Sequence, residues 1–199
     1  MTREAAVRER VQAAVKRPSR KKVWEPPSIE DFAPGLKMLA FDQSLSHTGW
    51  INFTVSSGGA LVIHSRGTMN VAVASKGHTS TMDKADILNT ALIRDLHRHG
   101  SYDVVVGEVT PVMGYRLESS LLAGYVLRRT YPDVVFVSRQ AALALLLPPD
   151  KRDEKKHSNE VLRRYATVEY PDVPRWNEHQ RDALMLGLTA LWKIQRDLS

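Results

Sequence analysis

Several features that the chain lacks narrow what it can be. It contains no cysteine, which excludes disulfides, thiolate nucleophiles and cysteine-ligated zinc. No apolar run reaches the roughly 18 residues of a membrane helix, and the first residues lack the apolar stretch of a signal peptide. No Walker-type phosphate loop is present, so we expect no nucleotide cofactor. We therefore expect a cytoplasmic protein that acts away from the membrane.

Positive charge is concentrated at one end of the chain. The net charge is +6 over 199 residues, yet the first 24 residues hold eight Lys and Arg against two Glu. Residues 25–199 hold 20 basic and 20 acidic side chains. The N-terminal segment is either a solvated extension or a basic arm that attracts phosphate groups. Because three prolines follow it, we predict a basic tail and linker over residues 1–35 and one folded domain over 36–199.

The hydrophobic pattern predicts an α/β domain. Three predicted β-strands come first, at 38–42, 47–55 and 60–69. Turn residues separate them, as in an antiparallel meander. Two further apolar strands, at 103–108 and 134–137, alternate with segments in which the apolar residues have the spacing of a helix. Helices are predicted at residues 81–99, 116–130, 139–146, 153–165 and 178–197. We expect a mixed five-stranded sheet, the meander plus parallel strands, flanked by helices.

Four polar residues stand at the ends of these elements. Asp42 closes the first strand and Glu108 closes the fourth. His179 and Asp182 lie one turn apart at the start of the last helix, so they share a face. Three carboxylates and one imidazole that converge from two strands and a helix would hold divalent metal ions. Such a site is typical of nucleases that cut phosphodiesters with metal ions.

Some of these residues have ordinary structural explanations. Asp42 could begin a turn and accept hydrogen bonds from the backbone of Ser44 or Ser46. Asn177 and Gln180 could form a helix capping box. Neither explanation covers Glu108, since Glu is depleted in strands. Asp182 enters an almost wholly apolar stretch, where a buried acid needs a cation or metal partner. As a set, the four residues favour the metal site.

Three motifs in this order resemble the RNase H-like superfamily of nucleases and retroviral integrases. They are residues 39–50 (LAFDQSLSHTGW), 104–108 (VVVGE) and 178–188 (EHQRDALMLGL). Within the superfamily they are most similar to RuvC-type Holliday junction resolvases, with a phage version as one option. The resemblance covers residues 37–195. It implies an RNase H-like fold and a nuclease domain over residues 36–199.

The resemblance also implies an activity. It implies a magnesium-dependent endonuclease that resolves four-way DNA junctions by paired symmetric nicks and leaves 5′-phosphate and 3′-hydroxyl ends. Two Mg²⁺ ions per site, for which Mn²⁺ substitutes, would be held by Asp42, Glu108, His179 and Asp182. A lysine before a helix would act on the phosphate, and the sequence does not decide between Lys155 and Lys156. These two are also expected to contact DNA, together with Tyr115, Arg116, Lys151 and Arg152.

The sequence leaves three points open. Glu108 is followed by Val109-Thr110-Pro111, where the family often has Gln and an aromatic wedge; Tyr115 or Met113 could take that role. The basic residues between 128 and 164, Arg139 among them, could equally form a solvated helical surface. Other functions are possible for the same motifs: an RNase H-like nuclease for flaps, branched DNA or RNA–DNA hybrids, or a non-catalytic DNA-binding protein.

A four-way junction has twofold symmetry, so cutting two of its strands symmetrically requires two active sites. A homodimer with twofold symmetry supplies them most simply. The helix predicted from residue 116 carries an apolar stripe of Leu117, Leu121, Leu122 and Val126. That stripe could form the dimer interface or pack against the sheet.

Overall fold

The computed structural model describes residues 24–71, 80–96, 101–109, 117–152, 157–165 and 176–198. Within these ranges the strands are β1 (Met38–Asp42), β2 (His47–Val55), β3 (Leu61–Asn70), β4 (Val104–Glu108) and β5 (Val135–Val137). The α-helices are α1 (Thr81–Leu96), α2 (Leu117–Thr130), α3 (Arg139–Leu146), α4 (His157–Tyr165) and α5 (Glu178–Leu198). The predicted elements are present, and their described ends differ by one residue at most. Residues 97–99, 116 and 153–156 of the predicted helices lie outside the described residues.

The strands form one sheet in the order β3-β2-β1-β4-β5. β1, β2 and β3 pair antiparallel, whereas β4 is parallel both to β1 and to β5. The predicted fold, a meander continued by parallel strands and flanked by helices, is therefore confirmed. β1 lies at the centre, and all its residues are buried, which explains its unbroken apolar sequence.

The central strands separate at one end. β1 and β4 pair from Met38–Val104 to Ala40–Val106 and no further. β4 then continues along β5 as far as Glu108–Val137. A gap therefore opens between the carboxyl ends of β1 and β4, the position at which α/β sheets commonly bind their ligands.

Helices cover both faces of the sheet. α3, α4 and α5 pack on one face around Phe53, and α1 and α2 pack on the other around Phe41. α5 is buried from Ala183 to Leu191, which accounts for its apolar sequence on nearly every side. Gly187 lets it approach closely, since a Cβ there would lie 2.6 Å from the Phe53 ring. This packing fixes how far the start of α5 reaches across the sheet.

The described part of the predicted tail and linker packs against the domain. Trp24 Nε1 donates to Ala144 O at 3.2 Å, and the Tyr165 hydroxyl donates to Pro27 O at 2.7 Å. Phe32 is buried and meets the Tyr165 ring edge-on at 5.6 Å. Residues 24–33 therefore lie across α3 and α4, and the basic residues up to 22 lie outside the described residues. Among the described helices, none is long and apolar enough to cross a membrane.

Candidate active site

The four predicted residues meet at the gap between β1 and β4. The register Ala40–Val106 brings Asp42 level with Glu108 two residues later. His179 Nδ1 lies 2.7 Å from Asp42 Oδ2, and Glu108 and Asp182 line one small cleft. Residues from β1, β4 and α5, far apart in the sequence, are therefore brought to one end of the sheet.

A capping box starts α5. The Gln180 N–H donates to Asn177 Oδ1 at 2.9 Å, and the Asn177 N–H donates to Gln180 Oε1 at 3.4 Å. The structural explanation for these two residues is therefore correct, and it coexists with the cluster of acids. Because the box fixes the first turn of the helix, it also fixes the direction of His179.

Gly49 allows the start of α5 to lie on the sheet. It pairs with Asp42 across β1 and β2, and it carries no side chain. A Cβ at Gly49 would lie 2.3 Å from the carbonyl carbon of His179. The helix therefore contacts the strand backbone directly, and this contact delivers His179 to Asp42.

A second set of contacts ties the first turn of α5 to the edge strand β3. Asn177 Nδ2 donates to Thr68 Oγ1 at 2.6 Å. The Arg66 guanidinium donates to Gln180 Oε1 and lies 4.5 Å from the centre of the Trp176 ring. These contacts were not predicted from the sequence; the only local signal was an arginine within a predicted β-strand.

Negative charge is crowded in the cleft. Burial and the neighbouring Asp42 carboxylate raise the pKa of Glu108 to about 7; Asp182 adds to the rise and Arg139 opposes it. The pKa of His179 is also raised, chiefly because it hydrogen-bonds to Asp42, although burial opposes this. A buried carboxylate whose pKa is raised by neighbouring acids, as that of Glu108 is, favours a bound cation.

Arg139 is a site residue that the sequence analysis missed. It was counted there only among the basic residues, but as the first residue of α3 it places Nη2 2.9 Å from Asp182 Oδ2. The buried acid on α5 therefore has the cationic partner that its position requires. Only the approach of α3 to α5 reveals this pairing.

Two further residues adjoin the acids without having been predicted. Gln43 hydrogen-bonds to the backbone of Glu108 through its side-chain amide. The His47 ring stacks on His179, with 5.7 Å between ring centres and an angle of 3° between planes. Both lie in the motif around Asp42, so their position in the sequence was the available signal.

The donor types of the cleft suit divalent metal ions, since carboxylate oxygens and an imidazole are common ligands. Among the described residues, however, no three His, Asp or Glu side chains are already arranged to hold an ion. Asp42 is paired with His179, and Asp182 is paired with Arg139. The residues present fit a cation by their chemistry and by their crowded charge, and ion binding would require these pairs to open.

The predicted DNA contacts divide into two groups. Lys151 forms an ion pair with Glu160 at 2.8 Å. Arg152 donates to two carbonyl groups at the end of α3, Ala144 O at 3.0 Å and Leu147 O at 3.2 Å. Both cations therefore have intramolecular partners. The others, Tyr115, Arg116, Lys155 and Lys156, lie outside the described residues, as does Met113.

No protein-family model matches the chain, and no curated protein matches it. Its fold is that of the RuvC-type Holliday junction resolvases. RuvC of Thermus thermophilus, in complex with a Holliday junction substrate, is 14% identical and has a TM-score of 0.57, covering 81% of this chain and 96% of its own. The yeast mitochondrial resolvase Ydc2 is 14% identical, with a TM-score of 0.55 and 85% of each chain covered. Fowlpox virus resolvase, in complex with junction DNA, is 14% identical with a TM-score of 0.53, covering 80% of this chain and 99% of its own.

Proposed function

We propose that the chain is a metal-dependent endonuclease that resolves four-way DNA junctions by paired symmetric nicks. The products would be 5′-phosphate and 3′-hydroxyl ends. The observation that carries the proposal is that Asp42 contacts His179 and Glu108, while Glu108 shares a small cleft with Asp182. The resolvases from T. thermophilus and fowlpox virus, which share this fold, are complexes with Holliday junction DNA. A shared fold that carries an acidic cleft supports the same class of substrate.

Two Mg²⁺ ions per site would be held by these four side chains, with Mn²⁺ as a substitute. Bound ions would supply an activated water and stabilise the leaving oxygen. Asp42 interacts with both His179 and Glu108, so it is best placed to be a shared ligand. Glu108 has to release its proton to bind a cation, which links cation affinity to pH. Arg139 offsets part of the negative charge beside Asp182.

The basic and aromatic residues predicted from the sequence would bind the DNA. Lys155 or Lys156 would offset charge that develops on the reacting phosphate. The remaining proposed contacts are Tyr115, Arg116, Lys151 and Arg152. Lys151 and Arg152 already have intramolecular partners, so contact with DNA would require them to exchange these partners for phosphate groups.

The α2 helix supports a homodimer. Its two apolar faces differ: Leu122 and Val126 pack inward against the core, whereas Leu117, Leu121 and Tyr125 are 36%, 55% and 61% exposed. These three lie at successive i, i+4 positions and form one outward stripe. An exposed apolar stripe of this kind is typical of an interaction surface. We propose that two copies pair through it, so that two active sites face one junction.

The test is a comparison of substrates with the same sequence content. A four-way junction, a flap, an RNA–DNA hybrid and a linear duplex are incubated with protein and Mg²⁺. We expect cuts at symmetric positions in the junction only. Preferred cutting of the flap or hybrid would instead support another RNase H-like nuclease. Binding without any cutting would indicate a non-catalytic DNA-binding protein.

A further inference from the structure

Glu108 lies beyond the point where β4 is paired with β1. The last pair between these strands is Ala40–Val106. On its other side β4 remains held by β5, where the Val109 N–H donates to Val137 O at 2.9 Å. Because successive residues of a strand direct their backbone groups to opposite sides, the N–H and C=O of Glu108 point toward β1. There, the strand itself no longer provides a partner.

The side chain of Gln43 takes the place of that partner. Its Nε2 donates to Glu108 O at 2.5 Å, and its Oε1 accepts from the Glu108 N–H at 2.7 Å. One carboxamide therefore satisfies both backbone groups, as a neighbouring strand would. Gly107 leaves space for it, since a Cβ there would lie 3.3 Å from Gln43 Oε1.

We infer that Gln43 is a positioning residue: it fixes the backbone of Glu108 so that its carboxylate faces Asp42. Gln43 directly follows Asp42 in the chain, so one residue joins the two acids across the gap between the strands. The inference rests on the role proposed for Glu108, and it adds a residue that does not itself touch metal or DNA. Outer residues that orient ligands in this way commonly alter metal affinity when they are replaced.

The test replaces the carboxamide and follows Glu108 directly. Gln43→Leu keeps a similar volume and removes both hydrogen bonds. The matched control is Gln140→Leu, the same change at an exposed position on α3. Hydrogen exchange at the Glu108 amide is measured by NMR against Val106, and Mn²⁺ affinity is measured by calorimetry. We expect exchange at Glu108 to rise about tenfold and Mn²⁺ binding to weaken about tenfold, with the control unchanged in both.

A purely structural role would give a different result. Gln43→Leu would then lower the melting temperature but leave Mn²⁺ affinity at the wild-type value, and the inference would be wrong. Wild-type exchange at Glu108 would overturn it equally. Gln43→Asn keeps the carboxamide with a shorter reach; it should shift both readouts the same way, and it replaces the Leu variant if that variant does not fold.

Failure of the proposed function would have a separate signature. The wild-type protein would then bind no Mn²⁺ and cut no junction. The exchange rate of the Glu108 amide would still report whether Gln43 holds this residue, because that measurement needs neither metal nor DNA. Protection that is lost in Gln43→Leu supports the hold of Gln43 on the Glu108 backbone, and protection that persists contradicts the inference.

Discussion

Single residues set the charge balance of the cleft. Asp42 is paired with His179, and Asp182 is paired with Arg139. The negative charge of Glu108 is the least compensated, because burial and both neighbouring acids raise its pKa and Arg139 alone opposes this rise. Its proton therefore links the state of the cleft to pH.

Glu108 should make the metal-free protein less stable as pH rises. Its pKa is about 7 in the folded protein and 4.5 ordinarily, so between these values the folded state binds more protons than the unfolded state. The contribution of Glu108 to the free energy of unfolding is fully present below pH 4.5, and it is lost as pH rises through about 7. With a chelator present, the melting temperature should fall across this window, and Glu108→Gln should flatten the curve. An equal slope in both proteins would contradict this assignment.

Cation binding should depend on pH in the opposite direction. A protonated Glu108 cannot act as a ligand, so its coordination to an ion releases its proton. Mn²⁺ affinity measured by calorimetry should rise between pH 6 and 8, and a chelator should abolish cutting. Affinity that stays constant over this range would exclude Glu108 from the ligand set.

At the scale of elements, the contact between α5 and β2 aligns the site. Apolar and β-branched runs bounded by turn residues were sufficient to predict all five strands, and the capping box predicted where α5 begins. Which strands and helices touch was not readable in the same way. Arg139 and Gln43 act through partners 43 and 65 residues away, and local periodicity carries no information about such contacts. The burial of Phe32 was missed because the prolines around it resemble a linker.

Gly49→Ala should displace the start of α5. The new methyl group would lie 2.3 Å from the His179 backbone, so the helix or the strand has to move. We expect a loss of about 1–3 kcal/mol in the free energy of unfolding, together with weaker Mn²⁺ binding. Gly58→Ala is the control, since its Cβ would meet only Ser56 Oγ at 3.9 Å. Chemical denaturation of both variants measures the difference; equal stability would show that α5 does not depend on this contact.

At the scale of the whole molecule, the outward stripe of Leu117, Leu121 and Tyr125 on α2 is an exposed apolar surface of the described residues. Leu121→Asp places a charge at its centre and should convert the proposed dimer to a monomer at micromolar concentration. Paired cuts in a junction should then become single nicks. Met82→Asp is the matched control, because Met82 is an exposed apolar residue on α1. Light scattering that finds wild-type protein monomeric would remove the dimer proposal.

The most direct measurement compares wild-type protein with Asp42→Asn on a synthetic four-way junction, with Mg²⁺-dependent cutting and junction binding measured side by side. The substitution keeps the shape of the side chain and removes its charge, so binding should persist while cutting is lost. The wild-type protein should make paired nicks in the junction and leave linear duplex intact. Cutting by Asp42→Asn at the wild-type rate would contradict the proposed site.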